Sequence, residues 1–163
     1  IHHQDPGVVG AALLDDSVSV ELIADTIHVK KELFKLIYRA KGKDRILLIT
    51  DCIRAGGMPK GKYKLGNLDV LADGLSARLE TGSLAGSIVT LNKAVYNFAQ
   101  YASIPLHEAV AMASYNPARS LGIHNEIGSI KEGLRADFSL VDQRMDVFMT
   151  IIDGKTVYHN QNN

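Results

Sequence analysis

The chain has a single cysteine, Cys52, among 163 residues, so no internal disulfide can form and a reducing, cytoplasmic setting is expected. It has no excess charge of either sign. Lys and Arg number 18 and Asp and Glu 18, which removes the electrostatic case for nucleic acid or a membrane surface as partner. No apolar run approaches the roughly 20 residues of a membrane span, and the sequence shows no signal peptide, internal repeat or low-complexity stretch. There is also no initiator Met. The opening Ile1-His2-His3-Gln4-Asp5 reads as an excised piece of a longer chain. What remains is 46% apolar and 22% charged residues, the balance of a globular protein with a real core. The length suits one ordinary domain or part of a larger one.

The stretch that organises the rest is Arg45-Ile-Leu-Leu-Ile-Thr-Asp51-Cys-Ile-Arg-Ala-Gly-Gly57. Its apolar run, Ile46 to Thr50, lies between charge and a glycine pair, as expected of a strand buried on both faces in a parallel sheet. Asp51 falls at the C-terminal end of that strand, the edge where loops converge on one crevice in α/β folds. A carboxylate there can act as a general base or a metal ligand, or it can simply cap a helix or order a loop. Upstream, Val20 to Ala24 reads as a second strand running into Asp25-Thr26-Ile27-His28. A helix with Leu33, Leu36 and Ile37 on one face joins the two and ends near Gly42. Residues 20–51 therefore read as a βαβ unit that places His28 and Asp51 on one rim.

Residues 1–10 read as a loop punctuated by Pro6-Gly7. Residues 62–80 alternate apolar and polar around Asp73-Gly74, the pattern of an inserted β-hairpin. The Leu84-Ala85-Gly86-Ser87 loop can bring backbone amides close to a ligand or be a plain turn. Ser87 or Thr90 is expected to cap a helix carrying Ala94, Val95, Phe98 and Ala99 on one face. A helix from Leu106 to Ser114 and a short one opened by Asn116-Pro117 follow. Tyr96, Phe98 and Tyr101 are expected in the core. From Glu126 the chain turns to β structure, with strands at Phe138–Asp142, Asp146–Ile152 and Lys155–Tyr158, the last two joined by an Asp153-Gly154 turn. His124 and His159 are expected at the surface.

Asp5-Pro-Gly-Val-Val-Gly, Ile23-Ala-Asp-Thr-Ile-His28, Leu48-Ile-Thr-Asp51, Leu84-Ala-Gly-Ser87 and Asn116-Pro-Ala-Arg119 together resemble the amidohydrolase superfamily, and within it the N-acetylglucosamine-6-phosphate deacetylases. Gly128-Ser-Ile-Lys-Glu-Gly-Leu-Arg-Ala-Asp137 and Thr150-Ile-Ile-Asp-Gly-Lys-Thr-Val-Tyr158 are similar to the tail of many amidohydrolases. The resemblance implies an α/β fold. Residues 1–125 would form the C-terminal part of a TIM-type (β/α) barrel, with the hairpin inserted, and residues 126–163 the C-terminal portion of a small β-sandwich. The implied reaction removes acetate from a 6-phosphosugar amide with water activated by a divalent metal, zinc or iron. Asp51 matches the aspartate that takes the water's proton and passes it to the leaving amine. His28 matches the histidine that contacts substrate and stabilises the developing oxyanion. Leu84, Ala85, Gly86 and Ser87 would line the sugar site.

Two positions depart from the family pattern. Gln4, with His3 beside it, stands where a basic residue commonly meets the sugar phosphate, and glutamine supplies no charge. Thr26 replaces the usual glycine ahead of the histidine. The metal ligands, a glutamate and two histidines, are expected upstream of Ile1, so no metal is expected on this chain alone and the isolated chain is expected to be inactive. The implied partner is a small amino-sugar phosphate, and the full-length form would be a homodimer. Two alternatives stay open: a sister amidohydrolase acting on another acetamido sugar phosphate or a cyclic amide, and a catalytically dead binding module derived from the barrel.

Overall fold

The structure is a computed structural model and describes residues 2 and 4–160. It is a mixed α/β fold built on a short parallel pair. β1 (Val20–Ile23) lies beside β2 (Ile46–Ile49) with Val20 opposite Ile46 and Ile23 opposite Ile49. The connection is a 3-10 turn at Lys31–Leu33 leading into α2 (Phe34–Lys41), as the βαβ reading requires. β2 is buried on both faces: Ile46, Leu47 and Leu48 are all shielded.

The core forms where three helices cover this pair. α3 (Leu91–Ala102) buries Ala94, Val95, Phe98, Ala99 and Ala102, a stripe at helical spacing. α4 (Leu106–Ala113) adds Ala109 and Met112. Phe34 of α2 stacks on Phe98 with ring centroids 5.4 Å apart. Tyr101 departs from the core expectation. It meets Phe34 edge-on, but its other face is open and lies 5.0 Å beneath the Lys31 ammonium. The short α5 (Tyr115–Ser120) carries the Asn116-Pro-Ala-Arg119 block, and its role is structural. Buried Asn116 donates to the carbonyls of Lys43 (2.8 Å) and Ile46 (2.9 Å), fixing the entry to β2.

Residues 7–14 correct the loop reading of the N-terminal ten residues: Gly7–Leu14 form α1. Pro6 presets a helical φ of −64°, and Asp5 accepts the Gly7 N–H at 3.0 Å. The helix is apolar on every side, so no periodicity announces it. Its last carbonyls are held by Lys41, which is 2% exposed and donates to Ala12 O (2.8 Å) and Asp15 O (2.6 Å).

The 62–80 segment is a three-stranded meander rather than a hairpin. β3 (Gly61–Leu65), β4 (Leu68–Ala72) and β5 (Ala77–Leu79) pair antiparallel in order. The additional turn is Gly66-Asn67, with Gly66 at φ +59°. The meander packs Val70 and Ala77 against Ala85 and Ile53. The third sheet, β6 (Phe138–Val141), β7 (Val147–Ile152) and β8 (Lys155–His159), is antiparallel, with the Asp153-Gly154 turn where the sequence placed it. Asn92 on α3 donates to Met145 O at 2.7 Å and Lys93 pairs with Asp146 at 2.5 Å, tying this sheet's β6–β7 corner to the core.

Candidate functional site

β1 and β2 run in the same direction and in register, so the chain leaves both at one edge. Asp25 and Asp51 each stand two residues past the paired Ile23 and Ile49. Five described non-glycine residues have positive φ, and two of them follow these strands: Thr26 at +69° and Asp51 at +44°. L-residues enter that region at a cost, and such outliers gather where a site needs a backbone turned sharply. A glycine would suit this φ without strain, and Thr26 adopts it nonetheless.

Asp51 is exposed, and its surroundings are set by residues 83–87. That segment is stitched on both sides. Ala85 N–H donates to Ala77 O of the meander (2.9 Å) and Ser87 N–H to Asp51 O (2.9 Å), while Ile53 N–H donates to Ser87 O (3.0 Å). Gly86 has φ +75°, and a Cβ there would lie 2.7 Å from Ile53 Cγ2, 3.0 Å from Asp51 O and 3.6 Å from Asp51 Oδ2. Only a glycine lets the loop come this close. Ser87 does not cap α3. It is buried, its hydroxyl donates to Thr50 O, and it accepts the Val89 N–H at 3.3 Å. Thr90 occupies the N-cap position without a side-chain bond.

The other strand end was read from the sequence for His28 alone, but Asp25 governs it. One carboxylate oxygen of Asp25 accepts the N–H groups of Ile27 and His28 at 2.9 Å each, and the other meets His28 Nδ1 at 2.7 Å. Their side chains are 7% and 19% exposed respectively. Asn97 on α3 donates to Ala24 O at 2.9 Å and fixes the strand end from behind. Neither Asp25 nor Asn97 carries a distinctive sequence signal. The only hint is that an Asp three residues before a His in a turn can accept both backbone and ring protons.

Gln4 is exposed in a turn closed by His2 and Asp5, and its N–H donates to His2 Nδ1 at 3.3 Å. His3 lies outside the described residues. His159 is exposed as expected. His124 corrects the surface reading: it is half-buried, its Nδ1 is covered without a hydrogen-bond partner among the described residues, and its ring meets Tyr115 edge-on at 6.3 Å. A cavity of about 400 Å³ lined by Tyr115, His124, Lys131 and Leu134 lies there, and none of Asp25, His28, Asp51 or residues 84–87 lines it. The Asp51 side chain is open to solvent. Among the described residues no group of three or more His, Cys, Asp or Glu side chains converges to hold a metal ion. Among these residues no helix is long and apolar enough to cross a membrane either.

The chain is 46% identical to the N-acetylglucosamine-6-phosphate deacetylase of Lysinibacillus sphaericus over 94% of its own length and 40% of that protein's. It is 40% identical to the N-acetylgalactosamine-6-phosphate deacetylase of Escherichia coli O157:H7, covering 95% of this chain and 41% of that one. A solved N-acetyl-D-glucosamine-6-phosphate deacetylase variant from Mycobacterium smegmatis, in complex with N-acetyl-D-glucosamine-6-phosphate, superposes with a TM-score of 0.90 at 33% identity. It covers 97% of this chain and 42% of its own. The chain thus spans about two fifths of the length of each of these three proteins. The amidohydrolase family model matches residues 14–157, nearly the whole sequence. The chain belongs to the amidohydrolase family.

Proposed function

We propose that this chain is the C-terminal part of a metal-dependent deacetylase that removes acetate from N-acetylglucosamine-6-phosphate to give glucosamine-6-phosphate. The observation that carries the reading is the placement of Asp51: just past a buried parallel strand, side chain exposed, with the Gly86 backbone packed against it. An exposed carboxylate at that edge is suited to take a proton from an attacking water and return it to the leaving amine. Leu84 to Ser87 border the acetamido sugar, with Gly86 giving close backbone approach and Ser87 holding the loop to Thr50. His28 contacts the substrate from the neighbouring strand. His3 and Gln4 contribute to the phosphate end, where Gln4 supplies a hydrogen bond but no charge.

Residues 1–125 belong to the last part of a (β/α) barrel carrying the meander as an insertion, and residues 126–163 to a share of a small β-sandwich. One parallel pair cannot close a barrel, because closure needs about eight strands. The identity with deacetylases more than twice as long supports this assignment. Among the described residues no group of side chains converges to hold a metal ion, and in this reading the zinc or iron ligands belong to the rest of a longer, cytoplasmic and homodimeric parent. The isolated chain accordingly lacks turnover. Measurable acetate release by the purified 163-residue chain would refute that.

The galacto epimer is a second substrate reading, favoured by the 40% identity to the Escherichia coli enzyme. A panel of the two acetamido 6-phosphosugars, assayed with the full-length parent, decides between them. Selective turnover of the gluco sugar supports the proposal, and selective turnover of the galacto sugar replaces it. Binding of either sugar without acetate release would make the protein a binding module.

A further inference from the structure

Asp25 makes three contacts with one short turn, and its chemistry fixes what His28 can do. Oδ1 accepts the Ile27 and His28 N–H groups, which holds the carboxylate rigid, and Oδ2 faces His28 Nδ1 at 2.7 Å. Asp25 is 7% exposed, so its oxygens face the turn rather than bulk water. A carboxylate accepts and does not donate, so the proton between them sits on Nδ1. Nε2 then becomes the ring atom left for a ligand. The side chain's 19% exposure is consistent with one open ring edge. Thr26 at φ +69° folds the chain back to bring the two side chains together, and Asn97 clamps Ala24 O behind them.

We propose that Asp25 is a positioning residue: its carboxylate locks His28 in the Nδ1–H tautomer and leaves Nε2 as the nitrogen that meets the substrate. This rests on the deacetylase reading for its use in turnover but not for its geometry. The consequence is specific. Neutral His28 offers a hydrogen-bond acceptor at Nε2, suited to a sugar hydroxyl or the amide N–H. It offers a donor to a developing oxyanion only as the imidazolium, which the Asp25 charge pairs with. A histidine held by a carboxylate is oriented in the same way in hydrolytic triads and around metals.

The discriminating variant is Asp25→Asn. The asparagine oxygen can still accept both backbone N–H groups, while its NH2 faces Nδ1 as a donor and drives the proton to Nε2. Long-range proton–nitrogen spectra of the histidine-labelled chain at about pH 8, above the ordinary histidine range, report which nitrogen is protonated. The expected result is Nδ1–H in the native chain and Nε2–H in Asp25→Asn. A native chain with the proton on Nε2, or with both tautomers exchanging, overturns the proposal, and this measurement stands even if the variant does not fold. A folded Asp25→Asn that keeps Nδ1–H also overturns it. In the full-length parent, Asp25→Asn is expected to lower kcat/KM by about 10- to 100-fold, with a changed pH profile that a purely structural loss would not produce. An active parent indifferent to the change overturns the positioning role. A parent that releases no acetate overturns the deacetylase reading and leaves the tautomer lock to the spectra.

Discussion

Thr26 holds a φ of +69° beside His28, where the residue type carries a penalty that glycine escapes. Thr26→Gly is therefore expected to raise unfolding stability by about 1 kcal/mol, measured by urea titration. An unchanged or lower midpoint would mean that threonine's side chain compensates. Gly86 is the mirror case. At φ +75° and with a Cβ position 2.7 Å from Ile53 Cγ2, Gly86→Ala is expected to cost about 2 kcal/mol or more and to displace Asp51. Thermal unfolding of the variant checks the first effect. These residues show why the site was half legible in the sequence. Asp51 stands out as a candidate because a short apolar run and two glycines bracket it. Asp25 could not be ranked, because its role depends on a left-handed turn that no local pattern encodes at a threonine. Ser87 was legible as part of a loop, but not as a buried hydroxyl committed to Thr50.

The elements that announce themselves by periodicity match the structure: β1, β2, α3, α4 and the three C-terminal strands; α2 is where it is expected, but Leu33 and Leu36 are exposed and Phe34 is the apolar residue it buries. Two elements without a period, α1 and the extra strand of the meander, are not legible in this way. α1 is apolar all round and looks like loop punctuation followed by small residues. Its C-terminus is held by the buried Lys41 ammonium, so Lys41→Met is expected to cost about 2–3 kcal/mol by leaving two carbonyls short of a charged donor. Loss of helical circular dichroism at a lower denaturant concentration would register it. The meander was read one strand short because Gly66-Asn67 is a weaker turn signal than Asp73-Gly74. That second turn has its own pH signature. The Ser76 N–H first, then that of Leu75, hold the Asp73 carboxyl below its ordinary value of 3.8. A folded value below the unfolded one gives stability that is fully present above about 3.8 and lost as pH falls through the folded value. The stability gap between the native chain and Asp73→Asn should therefore be widest near neutrality and close at strongly acid pH, as read by urea midpoints across pH. A gap independent of pH would mean that the charge plays no part.

At the scale of the whole molecule, the family was legible because several weak blocks occur in one order along nearly the full chain. The arrangement of the site was only partly so, since it depends on long-range pairings such as Ser87 with Asp51 and Asn97 with Ala24. Two features leave the chain poorly sealed. β1 and β2 each have one strand neighbour, and α1 exposes Val8 (86%), Val9 (61%) and Leu14 (78%). Such edges and patches invite association. Sedimentation of the isolated chain is expected to show concentration-dependent oligomers that diminish in a Val8→Lys, Val9→Lys double variant. A monomer at all concentrations would show these surfaces to be inert.

The central claim is that Asp51 moves the proton in acetate release. The most direct test is acetate production from N-acetylglucosamine-6-phosphate by the full-length parent and by its Asp51→Asn variant. Asparagine preserves the size of the side chain and removes its basicity. The account requires a loss of roughly two or more orders of magnitude in kcat, with the sugar phosphate still bound. An active parent whose Asp51→Asn variant turns over equally fast would contradict it.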